Sequence, residues 1–134
     1  VSEKRLLTAS MDGSIKVWDL QTYNEIATII PYGEKSKVVV LKDHYYWAEK
    51  KAFNAVGFTY DANAFPPEQF DLKYNRPDIV LSRLGYADSA LIAAYHKAYL
   101  KRLKKMGFKE EDLGDDFHIP KAAIENFEYM PVIE

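Results

Sequence analysis

The chain has 134 residues, 48% of them hydrophobic and 28% charged, so it can bury the core of one domain and carry an appendage. Its net charge of −2 excludes a nucleic-acid footprint at the level of the whole chain. The absence of cysteine excludes disulfides, zinc–thiolate sites and a cysteine nucleophile. No apolar run approaches the ~18 residues that cross a bilayer, so we expect no membrane span. The sequence assigns no compartment, with a slight preference for the cytoplasm.

The first predicted element is a β-hairpin. Two short apolar runs, at 6–10 and 15–20, flank Asp12-Gly13, the dipeptide that best tolerates the positive φ angles of a tight turn. A third strand at 25–30 follows a polar turn, which predicts a three-stranded antiparallel meander. Because proline cannot donate to a ladder, we expect Pro31-Tyr32-Gly33 to interrupt the sheet.

Further strands are predicted between residues 38 and 60. The β-branched run at 38–41 predicts a strand buried on both faces, and an aromatic strand follows at 44–48. Residues 50–55 fit one helical turn or a polar loop, and a strand at 56–60 ends in a turn at 61–64. The rings at 45–47 fit a stacking platform for a sugar or base, or cross-strand packing. Packing is favoured because no basic residues are interleaved with the rings.

Two helices are predicted in the second half of the chain. Pro77 at the first helical position, Asp78 at the positive end of the dipole and Gly85 at the end predict a short helix. A longer helix begins near Asp88 and ends before Gly107. Extended, proline-punctuated segments at 117–120 and 127–133 follow, and the last is predicted as a strand that enters a following domain.

The longer helix is predicted to have two faces. Its apolar stripe has a spacing of three and four residues and consists of Leu91, Ile92, Tyr95, Tyr99, Leu103 and Met106. Its basic face consists of His96, Lys97, Lys101, Arg102, Lys104 and Lys105. This face, within 97–109, fits a solvated surface or a binder of anionic surfaces such as nucleic acid or a membrane. Acidic residues at 110–116 oppose its charge, so a nucleic-acid role is disfavoured, and their spacing does not match a calcium loop.

The sequence marks no catalytic, cofactor-binding or metal-binding residue. His44, His96 and His118 stand far apart without a paired metal spacing, and the glycines form no phosphate loop. Tertiary contacts could still build a composite site from His44, Tyr46 and an acid. A small hydrolase therefore stays open as an alternative function.

The predicted hairpin resembles part of a blade of a WD-repeat propeller, since its second run ends in Trp18-Asp19. In that family a hydrogen-bonded tetrad of His, Ser or Thr, Asp and Trp holds the blade together. The resemblance places Thr8, Asp12 and Trp18 at three of these positions, all with a structural role. The histidine would precede the chain, so we expect Asp12 to be less well satisfied here and the chain to be a piece of a larger protein.

A second resemblance covers residues 45–130. They are similar to a segment of bacterial proteins that combine WD repeats with a caspase-like peptidase, where it follows the propeller and leads towards the peptidase domain. The run at 68–81, Glu-Gln-Phe-Asp-Leu-Lys-Tyr-Asn-Arg-Pro-Asp-Ile-Val-Leu, carries most of the likeness, with 45–48, Phe58, 65–66 and 84–88. The peptidase activity does not carry over, because its Cys–His pair lies in a domain that this chain lacks.

Together these observations predict an α+β fold, in which a meander of strands precedes a short and a long helix. We expect a partial WD-repeat blade at 1–31, and at 32–134 a linker module with strands at about 38–60 and helices at about 77–106. The expected function is a non-catalytic protein-interaction and linker module that positions a following domain. Its expected partners are the rest of the propeller, the downstream domain and a second copy bound through exposed strand edges.

Overall fold

A computed structural model describes residues 4–60 and 62–114, and for Tyr60 the backbone only. This part of the chain has the predicted α+β fold. Five strands form one antiparallel sheet in chain order: β1 (Arg5–Ala9), β2 (Ile15–Asp19), β3 (Glu25–Tyr32), β4 (Ser36–Leu41) and β5 (Tyr46–Ala48). A separate hairpin consists of β6 (Phe58–Tyr60) and β7 (Asn63–Phe65). The helices are α1 (Asp71–Tyr74), α2 (Pro77–Leu84) and α3 (Ser89–Lys105), with 3₁₀ turns at Phe53–Ala55, Pro67–Gln69 and Glu110–Asp112.

The prediction that Pro31 interrupts the sheet is wrong, because β3 continues to Tyr32 and Pro31 pairs with Lys37 of β4. The Asp19 N–H donates to the Asn24 carbonyl, and the β2–β3 ladder shifts register by one residue between Val17 and Trp18. Beyond this shift, alternation directs the odd-numbered residues of β3 from Ala27 onwards towards β2. β2 begins only at Ile15, so no residue of β2 lies opposite the Pro31 nitrogen. A proline at this position therefore removes no ladder hydrogen bond.

The predicted turn at 61–64 is too long. β7 begins at Asn63, which pairs with Tyr60. The connection shortens because Ala62 adopts a left-handed conformation with φ of 61°. Tight hairpin turns need such angles, which are uncommon for alanine.

Local signals fix both longer helices as predicted. Pro77 is the first residue of α2, and Gly85 ends it with φ of 75°. Asp88 caps α3, because its carboxylate accepts a hydrogen bond from the Leu91 N–H over 2.7 Å. Gly107 follows α3 with φ of 80°.

The core lies on both faces of the β4 end of the sheet. On one face Ala27, Val39 and Leu41 pack against Val80 of α2. The other face is covered at this end by a second cluster, which contains Val38, Tyr46, Ala52, Phe58 and Tyr74. β4 is thus buried on both faces, as predicted. The predicted boundary between residues 31 and 32 falls inside β3, so the sheet continues across it.

Candidate functional site

The structure brings two of the three predicted tetrad residues together. The Trp18 indole N–H donates to the Thr8 hydroxyl over 2.9 Å. Asp12 lies instead in the β1–β2 turn, where its carboxylate accepts hydrogen bonds from the Ser14 hydroxyl over 2.7 Å and from the Ser14 N–H over 2.8 Å. These two bonds lower the pKa of Asp12. Asp12 is therefore satisfied by Ser14 and organises the turn rather than the Thr8–Trp18 pair.

The two outer edges of the five-stranded sheet differ. At the β1 edge, Leu20 N–H donates to the Lys4 carbonyl and Ser10 N–H to the Ser14 carbonyl, which fixes the phase of the β1–β2 ladder. By alternation, the N–H and C=O groups of Arg5, Leu7 and Ala9 point away from β2. No described strand pairs with β1 on that side. Three residues of an exposed strand thus present ladder groups that pair with no strand of the described part of the chain.

The β5 edge is partly closed by the chain that leads into α2. Asn75 forms a parallel bridge with Tyr46, and the Arg76 N–H donates to the Tyr46 carbonyl over 2.9 Å. The side chains on the two edges differ in the same way, since Tyr46 is buried whereas Leu6 and Leu7 are 47% and 59% exposed. The β1 edge is the more accessible of the two.

A buried ion pair lies at the start of α2. The Arg76 guanidinium donates two hydrogen bonds to the Asp78 carboxylate, over 3.0 and 2.8 Å, and a third to Glu110 over 3.0 Å. His96 of α3 approaches Asp78 through Nδ1, at 3.0 Å. The guanidinium also stacks on the Tyr99 ring at 3.8 Å. This cluster joins α2, α3 and the turn after α3.

A second polar cluster is centred on Asp71 of α1. Its carboxylate accepts hydrogen bonds from Tyr46 over 3.1 Å, from Asn75 over 2.6 Å and from Arg102 over 2.8 Å. Arg102 also donates to the main-chain carbonyls of Asp71 and Asn75. Burial and the neighbouring Asp71 charge raise the pKa of the Tyr46 hydroxyl, which therefore stays protonated as a donor. The cluster joins β5 and α1 to α3.

These two clusters change the predicted faces of α3. His96 and Arg102 were assigned to the basic face, but they pair with Asp78 and Asp71. Of the predicted apolar stripe, Leu91 and Met106 are exposed, whereas Tyr99 and Leu103 are buried. The outer surface of α3 keeps Lys97, Lys101, Lys104 and Lys105, all exposed.

Of the residues suggested for a composite site, Tyr46 lies beside an acid, Asp71, to which its hydroxyl donates. His44 lies exposed in the β4–β5 turn and contacts the ring of Tyr74, while His118 lies outside the described residues. The rings of Tyr45, Tyr46 and Trp47 pack against those of Tyr74, Phe58 and Tyr95.

Within residues 4–60 and 62–114, no group of three side chains could hold a metal ion. No helix in this part of the chain is long and apolar enough to cross a membrane.

Sequence reasoning missed the residues that join the elements, above all Arg76, Asp78 and Asp71. The available signal was the segment at 71–78, in which the bases Lys73 and Arg76 lie between the acids Asp71 and Asp78. Comparisons with protein-family models, with curated proteins and with solved structures found no match to this chain.

Proposed function

We propose that this chain is a non-catalytic protein-interaction and linker module of a WD-repeat propeller protein. Its β1 edge binds a neighbouring strand, and its helical part positions a following domain. The observation that carries the proposal is the β1 edge, which pairs with no other described strand and where Arg5, Leu7 and Ala9 direct ladder groups outwards. A strand edge of this kind pairs readily with another extended segment.

The linker role is supported by contacts that hold the chain after α3. The Lys73 ammonium donates to the Gly114 carbonyl over 2.7 Å, and Arg76 binds Glu110 over 3.0 Å. These contacts hold residues 110–114 against α1 and the start of α2. Such an attachment suits a module that orients the next domain.

The sheet departs from a standard blade in one respect. A propeller blade is a four-stranded sheet, whereas here β3 pairs onwards with β4 and β5 to give five strands. Under the proposal, β1, β2 and β3 contribute to a blade together with a strand bound at β1. β4 and β5 then join that blade to the helices.

Photo-crosslinking in the full-length product of the gene tests the proposal. A photoreactive phenylalanine analogue would replace Leu7 at the β1 edge or, as the control, Tyr32 at the opposite end of the meander. We expect position 7 to crosslink to a strand of a WD-repeat blade, identified by mass spectrometry, and position 32 not to do so. If position 7 does not crosslink to a strand of a WD-repeat blade, the proposal is overturned.

A second copy of the chain is an alternative occupant of the β1 edge. β1 can pair with itself about a two-fold axis through Leu7, and this register would pair all three outward-facing residues. Such a homodimer leaves the interaction role intact but replaces the propeller strand by β1 of the second copy.

A further inference from the structure

A groove lies between the end of β5 and α3, away from the β1 edge. Its volume is about 280 Å³, and its walls include the rings of Trp47, Tyr95 and Tyr99, with Ala48, Asn75 and Arg102 between them. The ring centroids of Trp47 and Tyr95 lie 6.1 Å from each other, with an angle of 58° between the ring planes. The groove thus has aromatic walls on both the sheet and the helix.

Ala48 lines this groove, and its main chain lies at the outer edge of β5. The bonds from Leu41 N–H to the Tyr45 carbonyl and from Glu49 N–H to the Lys37 carbonyl fix the phase of the β4–β5 ladder. By alternation, the N–H and C=O of Ala48 point away from β4. The bridge that closes this edge ends at Arg76, so no described residue pairs with Ala48 there. An extended segment could continue the sheet at this point.

The charge of the groove points to an acidic occupant. Of the described residues that line the groove, Arg102 is the one with a charged side chain. Its terminal nitrogens bind Asp71 and Asn75, but its Nε is buried without a hydrogen-bond partner. A buried donor without a partner is costly, and an anionic acceptor would offset that cost.

The size of the groove argues for one side chain rather than a whole small molecule. Pockets for cofactors and drug-sized ligands span roughly 300–1,000 Å³, and this groove lies just below that range. A peptide needs less enclosed space, because its main chain can lie along the edge of β5. The unpaired groups of Ala48 match such a main chain.

We propose that the groove binds an extended acidic peptide. Its main chain pairs with Ala48, one bulky apolar side chain packs in the groove against the rings of Trp47 and Tyr95, and an adjacent carboxylate approaches Arg102. This site is separate from the β1 edge and does not depend on the function proposed for that edge.

The probe is the capped peptide Gly-Ser-Phe-Asp-Ser-Gly, titrated into the ¹⁵N-labelled full chain up to about 1 mM, the range of weak single-site binding. We expect saturable shifts of the Ala48 amide and the Trp47 indole N–H. Replacing the peptide phenylalanine by glycine, or its aspartate by asparagine, should weaken binding at least about tenfold. Absence of shifts at both groups, or equal binding of the three peptides, would overturn the proposal.

Protein variants test the walls of the groove. Tyr95→Ala should weaken binding at least about tenfold, whereas Tyr86→Ala, which removes an exposed ring outside the groove, should leave it unchanged. Leu7→Pro at the β1 edge should also leave peptide binding unchanged, so failure of one proposal does not entail failure of the other. Binding that survives Tyr95→Ala would contradict the assignment.

Pairing with the Ala48 main chain is tested from the ligand side, where protein folding is not at risk. Two peptides carry a single N-methyl group, at the phenylalanine or at the aspartate nitrogen. Successive amides of a strand point to opposite sides, so one methyl group should abolish binding and the other should be tolerated. Equal effects of the two methyl groups would rule out strand-like pairing.

Discussion

Arg76 and Asp78 form a two-point ion pair across the first turn of α2, with hydrogen bonds of 3.0 and 2.8 Å. Both side chains are nearly inaccessible to solvent, at 9% and 5% exposure. Paired hydrogen bonds between planar groups are among the strongest polar contacts in proteins. Because His96 and Glu110 join the same cluster, the pair holds α2, α3 and the following turn together.

Asp78→Asn should therefore destabilise the chain by about 3 kcal/mol, because it leaves the buried Arg76 charge without its main partner. The free energy of unfolding, measured by urea titration, gives the result directly. The matched control is Asp43→Asn, which breaks the exposed pair with Arg83 and should cost less than about 1 kcal/mol. Similar losses in the two variants would show that the Arg76–Asp78 pair is not a special contact.

The same pair makes stability depend on acid pH. Burial acts to raise the pKa of Asp78, but hydrogen bonds from Arg76 and His96 outweigh it and leave this pKa below the ordinary 3.8. The unfolded chain thus takes up this proton at a higher pH than the folded chain. The contribution of ionised Asp78 to the free energy of unfolding is complete at neutral pH. It is lost as pH falls through about 4 and below.

Unfolding free energies measured from neutral pH down to about pH 2 should therefore fall less steeply in Asp78→Asn than in the unmodified chain. Asp12, Asp19 and Glu25 also have lowered pKa values and keep their contributions in both proteins. Parallel pH profiles would contradict a lowered pKa at Asp78.

The sequence predicts those features of the fold that depend on neighbours along the chain. The ends of α2 and α3 follow from Pro77, Gly85, Asp88 and Gly107, each of which acts within one helical turn. The position of Pro31 depends instead on where β2 begins, which is information from another strand. The neighbouring strand decides whether the residue at position 31 needs an N–H group for the ladder.

The candidate sites show the same division between local and distant information. Hydropathy assigns Arg102 to a solvated face, yet it contacts Asp71, which lies 31 residues earlier. Helical periodicity identifies the residues that share a face of α3 but not the partner opposite each of them. The direction of the Ala48 N–H and C=O likewise depends on the ladder phase, which composition does not encode.

Tyr23 offers a simple gain in stability. It has φ of 57° and a side chain that is 79% exposed, so it bears left-handed backbone strain and buries little surface. Tyr23→Gly should raise the free energy of unfolding by about 0.5–1 kcal/mol. The adjacent Thr22→Gly, at a residue without positive φ, should lower it instead. A loss of stability in Tyr23→Gly would contradict the strained turn.

The separation of Asp12 from the Thr8–Trp18 pair predicts how substitutions combine. Thr8→Val should cost at most about 1 kcal/mol, and Asp12→Ala should also cost little, because the hydrogen bonds of both residues are exposed. Their effects should add in the double variant, since Thr8 bonds to Trp18 and Asp12 to Ser14. Thr8→Val and Trp18→Phe should instead be non-additive. Coupling between Thr8 and Asp12 would indicate a connected tetrad that the structure does not contain.

Self-pairing of β1 can be measured with a single introduced cysteine, because the chain contains none. In the register centred on Leu7, two copies of that residue face each other as a hydrogen-bonded pair, about 5.5 Å apart at Cα. This separation lies within the range of disulfides, so Leu7→Cys should form a covalent dimer under mild oxidation. Tyr32→Cys, which is also exposed but remote from the β1 edge, should not. Equal crosslinking of the two variants, or a monomeric mass at all concentrations, would exclude the homodimer and leave the edge to a strand from another protein.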